Sequence, residues 1–572
     1  MKISDYMVDL LSAAGVKRIW GVTGDSLNGL VDSMRKQGQI EWVGTRHEEV
    51  AAFAAGAEAG ITGELAVCAG SCGPGNMHLM NGLYNCYRNH TPVLAIASDI
   101  PSSEVGTDYF QETDPVYLYK ECSVYCQKIT NPEQMPQILE TAMRQAILKR
   151  GVATIVVPGD VLEMDMPKGV GIKWQKPELP HYSASADELA KLSEMLNNSE
   201  HITFFCGAGC KDAREEVIAL AKKLKAPIVH AFRGKEYMEY DNPNDMGMTG
   251  LLGFESGYHA LENADTVLLL GTGFPFRAFY PKNARIIQID IDPGALGRHT
   301  QIDLGIVADI KETVSALLPL VKENDNEVFL DNCLKHYKKT RADFDSKADI
   351  KPGDKRIHPQ TLFKMMSDKA NSDAIFTFDV GTPTLWSARF LKIGKDRRLL
   401  GSFHHGSMAN AMPMALGAQI VDRNRQVIAM CGDGGFSMLM GDFLSLVEHK
   451  LPVKIVVLNN SCLSFVNIEM IAAGYLSTAT DMVNPSFAAI ADACGVKGFK
   501  ATEPENLSNT IDEFLAHDGP ALLEVITDKN EIGMPPKVTN EQRKGFAIYM
   551  LKAVFNGHGN QLIDIAKTNL RR

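Results

Sequence analysis

Short apolar runs rich in Val and Ile alternate with amphipathic, helix-like stretches over most of this chain. Residues 19–22, 65–69, 93–98 and 153–157 form one set of predicted strands. Residues 202–206, 228–231, 266–270 and 285–290 form a second, and 374–379, 426–431, 454–458 and 522–526 a third. Runs that are apolar on both faces and separated by helices predict parallel sheets covered by helices on each side. The expected fold class is α/β, with three doubly wound parallel-sheet domains. Two polar stretches with little periodicity, 167–182 and 323–359, read as linkers. A third, 528–544 with Pro535-Pro536, precedes a tail of different character.

The length of 572 residues suits three or four domains at roughly 150 residues each. Hydrophobic residues at 45% and charged residues at 22% exclude a disordered, collagen-like or heptad-built chain. The net charge of -11 argues against a general nucleic-acid binder. No apolar run approaches the roughly 20 residues of a membrane span. The start, Met1-Lys2-Ile3-Ser4-Asp5, lacks a leader-like pattern, and the 11 cysteines read as free thiols of a reducing compartment. A cytoplasmic location is expected.

The most informative stretch begins where a predicted strand runs into Gly432-Asp433-Gly434-Gly435-Phe436. After 24 residues a second strand ends in Asn459-Asn460. Glycines at the carboxyl end of a parallel strand let backbone N–H groups approach a phosphate. Asp433 and Asn460 offer hard oxygen ligands suited to an octahedral Mg²⁺ that shares its other positions with a diphosphate and water. Alone, the Gly-Asp-Gly string reads as a tight turn. The asparagine pair at this spacing, each motif directly after a strand, favours the ligand site.

This pair resembles the signature of thiamin-diphosphate enzymes. The rest of the chain is similar to their pyruvate oxidase branch, most of all to the bacterial quinone-dependent pyruvate dehydrogenases. Three strings carry the likeness: Thr45-Arg46-His47-Glu48-Glu49-Val50-Ala51-Ala52-Phe53, Cys68-Ala69-Gly70-Ser71-Cys72-Gly73-Pro74-Gly75-Asn76, and Gly406-Ser407-Met408-Ala409-Asn410-Ala411-Met412-Pro413. The resemblance implies a pyrimidine-binding domain over 1–182, an FAD domain over 183–340, a diphosphate domain over 341–530 and a membrane-binding tail over 531–572.

It also implies roles for single residues. Glu48, before a small-residue helix, matches the carboxyl group that gives a proton to the aminopyrimidine ring, a task that burial favours; Glu49 is the rival. Gly73 lies over the pyrimidine, and Met408, with Gly406 and Ser407, props the coenzyme into a bent shape. The diphosphate and its metal fall to Asp433, Gly434 and Gly435 and to Asn460, Ser461, Cys462, Leu463, Ser464, Phe465 and Val466, with Asp433, Asn460 and Cys462 as metal ligands. Phe110 and Gln111 line the substrate pocket, Phe465 flanks the path to the flavin, and Glu469 stands near the reacting carbon. FAD contacts fall at Leu251, Leu252, Gly253 and Phe254, at Phe274, Pro275, Phe276, Arg277 and Ala278, and at Asp292. Two departures stand out: Ser464 where the family usually has Gly, and His404 where close relatives tend to have Asn.

The implied reaction is the oxidative decarboxylation of pyruvate to acetate and CO₂, with two electrons passing through FAD to ubiquinone. The alternative acceptors are oxygen with phosphate, giving acetyl phosphate, and a second pyruvate, giving acetolactate. The family closes its site between two subunits, so the resemblance implies a homodimer at least and a homotetramer as the expectation. Residues 541–572 hold Arg543, Lys544, Lys552, Lys567, Arg571 and Arg572 against Glu541 and Asp564. Ile548, Leu551, Val554 and Phe555 recur at helical spacing, as do Leu562, Ile565 and Ala566. A basic amphipathic segment suits reversible binding to an anionic lipid surface, here the cytoplasmic face of the bacterial inner membrane. The other reading is a terminal helix packed on the protein's own body.

Overall fold

The computed structural model describes residues 1–531, 533, 540–555, 562, 565, 568 and 569. Three six-stranded, all-parallel sheets follow one another along the chain. The first holds β1 (Arg18–Gly21), β2 (Glu41–Gly44), β3 (Ala66–Gly70), β4 (Val93–Asp99), β5 (Tyr125–Lys128) and β6 (Val152–Pro158). The second holds β7 (Ile202–Cys206), β8 (Ile228–His230), β9 (Asp245–Met248), β10 (Thr266–Leu270), β11 (Arg285–Asp290) and β12 (Leu304–Val307). The third holds β13 (Ile375–Phe378), β14 (Arg398–Gly401), β15 (Val427–Gly432), β16 (Lys454–Asn459), β17 (Lys497–Ala501) and β18 (Ala521–Ile526).

Strand order shows which sheets are alike. The first runs β2-β1-β3-β4-β6-β5 and the third β14-β13-β15-β16-β18-β17, the same order counted from each first strand. The second runs β12-β11-β10-β7-β8-β9, the order of dinucleotide-binding folds. In each sheet the chain reverses direction beside its first strand: between β1 and β3, between β7 and β10, and between β13 and β15. Loops at the carboxyl ends of such strand pairs form the crevice where open α/β sheets bind ligands.

Cores cover both faces of the sheets. One face of the first sheet and one of the third share a single cluster, running from Trp20 and Val43 through Ala51–Ala55 to Ala415, Val427 and Val457. The small side chains of the helix Glu48–Thr62 let it pack closely on the helix Ala411–Val421, which seats Glu48 beside the third domain.

The segment 323–359 departs from the linker expectation, for it contains the 20-residue helix Val328–Lys347. Only Leu330 and Cys333 of that helix are buried, so it shows no continuous apolar stripe in sequence. All eleven cysteines are free thiols. Among the described residues no helix is long and apolar enough to cross a membrane.

Candidate active site

The turn after β15 and the turn after β16 stand side by side, because Gly432 pairs with Leu458 in the sheet. Asp433 lies between them, almost wholly buried. Its Oδ2 accepts from Ser461 N at 2.7 Å, Asn484 Nδ2 at 2.8 Å and Asn460 N at 3.2 Å. Its Oδ1 accepts from Gly434 N at 2.8 Å. Burial pushes this carboxyl above its ordinary value, while these hydrogen bonds pull the other way. Among the described residues no cation forms an ion pair with it. A buried carboxylate in that position is expensive unless a metal compensates it.

Among the described residues Asn460 Oδ1 accepts one hydrogen bond, from Cys462 N at 3.0 Å, which leaves its second lone pair for a ligand. The Cys462 thiol is buried, and burial raises its pKa. Its carbonyl oxygen is the atom that suits a hard cation. Ser464 Oγ donates to that carbonyl at 3.4 Å and accepts from Asn460 Nδ2 at 2.9 Å, so it ties two candidate ligands together.

A Cβ at Gly434 would stand 2.8 Å from Leu463 Cδ2 and 3.1 Å from Met408 Cε, so this turn, Met408 and Leu463 line one narrow cradle. Gly406 and Ala409 flank Met408 with φ of 75° and 63°, and Ser407 Oγ accepts from Asn81 Nδ2 at 2.9 Å. The oxygen donors, the compensating charge and the cradle fit a magnesium diphosphate. Phe465, Val466 and Glu469 lie on the helix Ser464–Ala472 leading away; Val466 and Glu469 are exposed, and Phe465 packs partly on the third domain's core.

Asp379, at the end of β13, is a group that sequence reasoning left without a role. It is buried, its Oδ1 accepts from Ala411 N at 2.9 Å, and its Oδ2 lies against Gly435 with no hydrogen-bond partner among the described residues. Burial pushes it up to about 7. The folded chain therefore holds a proton over a range where the unfolded chain has lost it. That stability is present at low pH and is lost as pH rises through about 7. Asp379→Asn, neutral at every pH, is expected to out-melt the parent by a margin that widens from about pH 4 to about pH 7 and then stays level. Thermal melts of the ligand-free proteins check this, and a margin independent of pH contradicts it.

A second group gathers on the first domain. Glu48 opens the helix Glu48–Thr62, after His47 as N-cap, and is 8% exposed. Its Oε2 is 2.9 Å from His78 Nδ1, and the His47 and His78 rings stack at 4.4 Å. A Cβ at Gly75 would stand 3.1 Å from Glu48 Oε1. Glu49 is engaged elsewhere: its Oε1 accepts from Asn81 Nδ2 at 2.7 Å, and Asn81 reaches Ser407 and His405 of the third domain. Gly73, with φ of 65°, lies against Gln111, whose own φ is 63° and whose Oε1 accepts from Cys72 Sγ at 3.4 Å. Phe110 is 78% exposed. Sequence reasoning passed over His78; only its position within the helix after Gly-Pro-Gly pointed to it. Among the described residues no hydrogen bond joins Glu48 to the Asp433 turn.

The third group lies on the middle domain. Leu251, Phe276 and Arg277 are exposed beyond the carboxyl ends of β9 and β10, with Pro275 and Ala278 beside them. Leu252 is half-buried, and Gly253 and Phe274 are buried, the Phe274 ring edge-on to Phe205 at 5.0 Å. The Phe254 ring turns into the seam with the third domain, 5.3 Å from Phe344. Asp292 Oδ1 accepts from Gly294 N at 2.9 Å, and Arg277 Nη2 donates to Arg298 O at 3.4 Å. Where the three domains meet, burial and the Arg233 guanidinium push His90 and His404 down to about 4. The exposed Arg277 after β10 and Asp292 after β11, with the two histidines whose burial keeps them neutral, fit an FAD.

Comparison with known proteins matches these domains in the same order. The thiamine pyrophosphate enzyme N-terminal TPP binding domain matches residues 1–118, the central domain 189–317 and the C-terminal TPP binding domain 379–525. An uncharacterised 42.6 kDa protein of Pseudomonas amyloderamosa is 52% identical over 364 residues, covering 63% of this chain and 90% of that protein. A putative thiamine pyrophosphate-containing protein of Bacillus subtilis is 33% identical over 563 residues, 98% of each chain. A pyruvate oxidase of Lactiplantibacillus plantarum is 30% identical over 533 residues, 91% of this chain and 87% of that one. With its three α/β domains and its Asp433 and Asn460 turns, this chain belongs to the thiamine pyrophosphate-dependent enzymes.

Proposed function

We propose that this protein oxidatively decarboxylates pyruvate to acetate and CO₂ and passes two electrons through FAD to ubiquinone. The observation that carries the reading is the buried Asp433 carboxylate, which no cation among the described residues pairs, beside Asn460 and a glycine cradle. The full-length likeness to a pyruvate oxidase supports the substrate class. When bound, thiamin diphosphate supplies a carbon nucleophile and an electron sink for loss of CO₂ from a 2-keto acid.

The chain's own residues do the rest. Asp433, Asn460 and the Cys462 carbonyl are the groups that would hold Mg²⁺ for a diphosphate. Met408 and Leu463 shape the cradle. Glu48, buried and with its Oε2 beside His78 Nδ1, is placed to exchange a proton with an aminopyrimidine nitrogen. Gln111, seated on Gly73 and Cys72, presents its amide to the substrate carboxylate. Phe110 would line the substrate pocket, Phe465 would flank the path to the flavin, and Glu469 would stand near the reacting carbon. The middle-domain crevice, with Arg277 and Asp292, holds FAD. Glu48 comes from one subunit and Asp433 from its partner, so the working form is a homo-oligomer, a tetramer.

Anaerobic pyruvate should bleach the bound flavin at once, and turnover should then require quinone but not phosphate. Failure of pyruvate to reduce the flavin would transfer the protein to carboligation. Acetyl phosphate formation would make oxygen the acceptor.

The tail reading places the enzyme on the cytoplasmic face of a bacterial inner membrane. The helix Asn540–Phe555 packs on the helix Ser464–Ala472, which carries Phe465 and Glu469. It buries Tyr549 and Ala553 against Ile471, and Lys552 Nζ donates to Gly474 O at 2.8 Å. Gly545 sits so close that a Cβ there would overlap the Ala472 carbonyl. The stripe expected from sequence differs in phase: Ile548 is exposed and Leu551 is 62% exposed, together with Phe546 and Met550. Asp564, Ala566, Lys567, Arg571 and Arg572 lie outside the described residues, as do the side chains of Glu541, Val554 and Phe555.

A helix docked by one face and apolar on the other suits exchange between the protein's own body and lipid. Gly545→Val, which cannot keep that approach, is expected to raise lipid-free turnover to the lipid-stimulated rate. Assays with and without anionic vesicles check this. An unchanged response to lipid, in this variant and in a chain ending near Asp528, contradicts the tail's role.

A further inference from the structure

Glu524 is fully buried on β18, a strand flanked by β16 and β17 in the third sheet. An acid at such a position is destabilising unless every oxygen is matched, and an apolar residue would fill a sheet interior with less cost. Here both oxygens are matched. Oε1 accepts from Asn459 Nδ2 at 2.8 Å. Oε2 accepts from Ser486 Oγ at 3.1 Å and Ala488 N at 3.3 Å, and Lys500 Nζ lies 3.2 Å away. Paired with that lysine, the carboxylate offers acceptors only.

That has a consequence at the other end of a short chain of amides. An asparagine side chain can present either its oxygen or its nitrogen to a neighbour, and the network decides which. Glu524 obliges Asn459 to give its nitrogen, so Asn459 Oδ1 faces the opposite way, toward Asn484 Nδ2 at 2.9 Å and Ser461 Oγ at 3.3 Å. Asn484 Nδ2 carries two protons. One goes to Asn459 and the other to Asp433 Oδ2, at 2.8 Å. The direction of each hydrogen bond, from acid to amide to amide to acid, is thus fixed by Glu524. Among the described residues Asp433 Oδ2 is held by three donors, and Oδ1, with one, is the oxygen left for a ligand.

We propose that Glu524, Asn459 and Asn484 form a positioning relay that fixes the rotation of the Asp433 carboxylate for a divalent cation. The inference rests on the reading of Asp433 and Asn460 as metal ligands and goes beyond it, to residues that touch no ligand. Outer groups that orient a metal ligand typically govern about ten- to a hundredfold in affinity. Glu524→Gln keeps the shape but lets the amide present a donor to Asn459, so the relay loses its direction. Asn484→Ala, in a half-buried loop position, removes the last link without disturbing the sheet.

The test is a titration of the full-length protein with Mn²⁺ and thiamin diphosphate, read by electron paramagnetic resonance, beside melts of the metal-free proteins. Glu524→Gln and Asn484→Ala are each expected to bind Mn²⁺ about ten- to a hundredfold more weakly, with kcat restored at saturating metal. Asp433→Asn is the control. If it loses Mn²⁺ while both relay variants bind within about twofold of the parent, the relay is overturned and the metal reading stands. A loss of kcat that saturating metal does not restore also overturns it, leaving a purely structural role. If Asp433→Asn binds as the parent does, the metal reading itself fails and the relay with it.

Discussion

Glu48→Gln is expected to lower turnover by about 10²- to 10⁴-fold, the range that removal of a general acid commonly costs. Glutamine keeps the shape of the side chain and its place at the start of the helix Glu48–Thr62, so thiamin diphosphate binding and thermal stability should change little. What disappears is the exchangeable proton. The carboxyl is 8% exposed, with one oxygen 2.9 Å from His78 Nδ1 and the other against Gly75. Few waters can replace a proton donor so enclosed. Steady-state kinetics with pyruvate and a dye acceptor, alongside coenzyme titration, separate the outcomes. A loss confined to KM would make Glu48 a binding residue only.

Asp433→Asn is expected to abolish tight, Mg²⁺-dependent binding of thiamin diphosphate and with it activity, a larger loss than the ten- to hundredfold of an outer-shell change. The same substitution should leave the metal-free protein at least as stable as the parent. It removes a buried charge that no cation among the described residues pairs, which outweighs the one bond lost from Gly434 N, and its oxygen can still accept from Ser461 N, Asn460 N and Asn484. Loss of function without loss of stability marks a group kept for a ligand. Calorimetric titration of coenzyme in Mg²⁺, set beside melting curves, reads both halves. A destabilised apoprotein, or unchanged coenzyme binding, contradicts the assignment.

The twelve strands legible in the sequence are the four inner strands of each sheet, and the two edge strands of every sheet were missed. Inner strands are apolar on both faces, as in the fully buried Thr266–Leu270. Edge strands meet solvent, so Tyr125–Lys128 and Lys497–Ala501 carry lysines and lack a continuous apolar run. Asp245–Met248 is buried but holds an acid and a glycine. The same logic hid the helix Val328–Lys347, most of whose surface is wet.

The candidate site was legible where its residues follow a strand in sequence, as at Asp433 and Asn460. It was not where tertiary approach creates it. Asn484 reaches Asp433 from a loop 51 residues away, and His78 reaches Glu48 from another helix. Asp379 ends a strand that was correctly read, yet its burial against Gly435 and the Ala411 amide depends on three loops meeting. The tail helix shows the limit of periodicity: the spacing of Ile548 and Leu551 is helical, but the face that docks is that of Gly545, Tyr549 and Ala553.

The central claim is that an acid on the first domain and a metal-held diphosphate on the third work together on a 2-keto acid. Release of labelled CO₂ from carboxyl-labelled pyruvate by the purified chain, with and without thiamin diphosphate and Mg²⁺, tests it most directly. The account predicts rapid release that requires both additions and falls about 10²-fold or more in Glu48→Gln. Release that needs neither addition, or no release with both present, would contradict it.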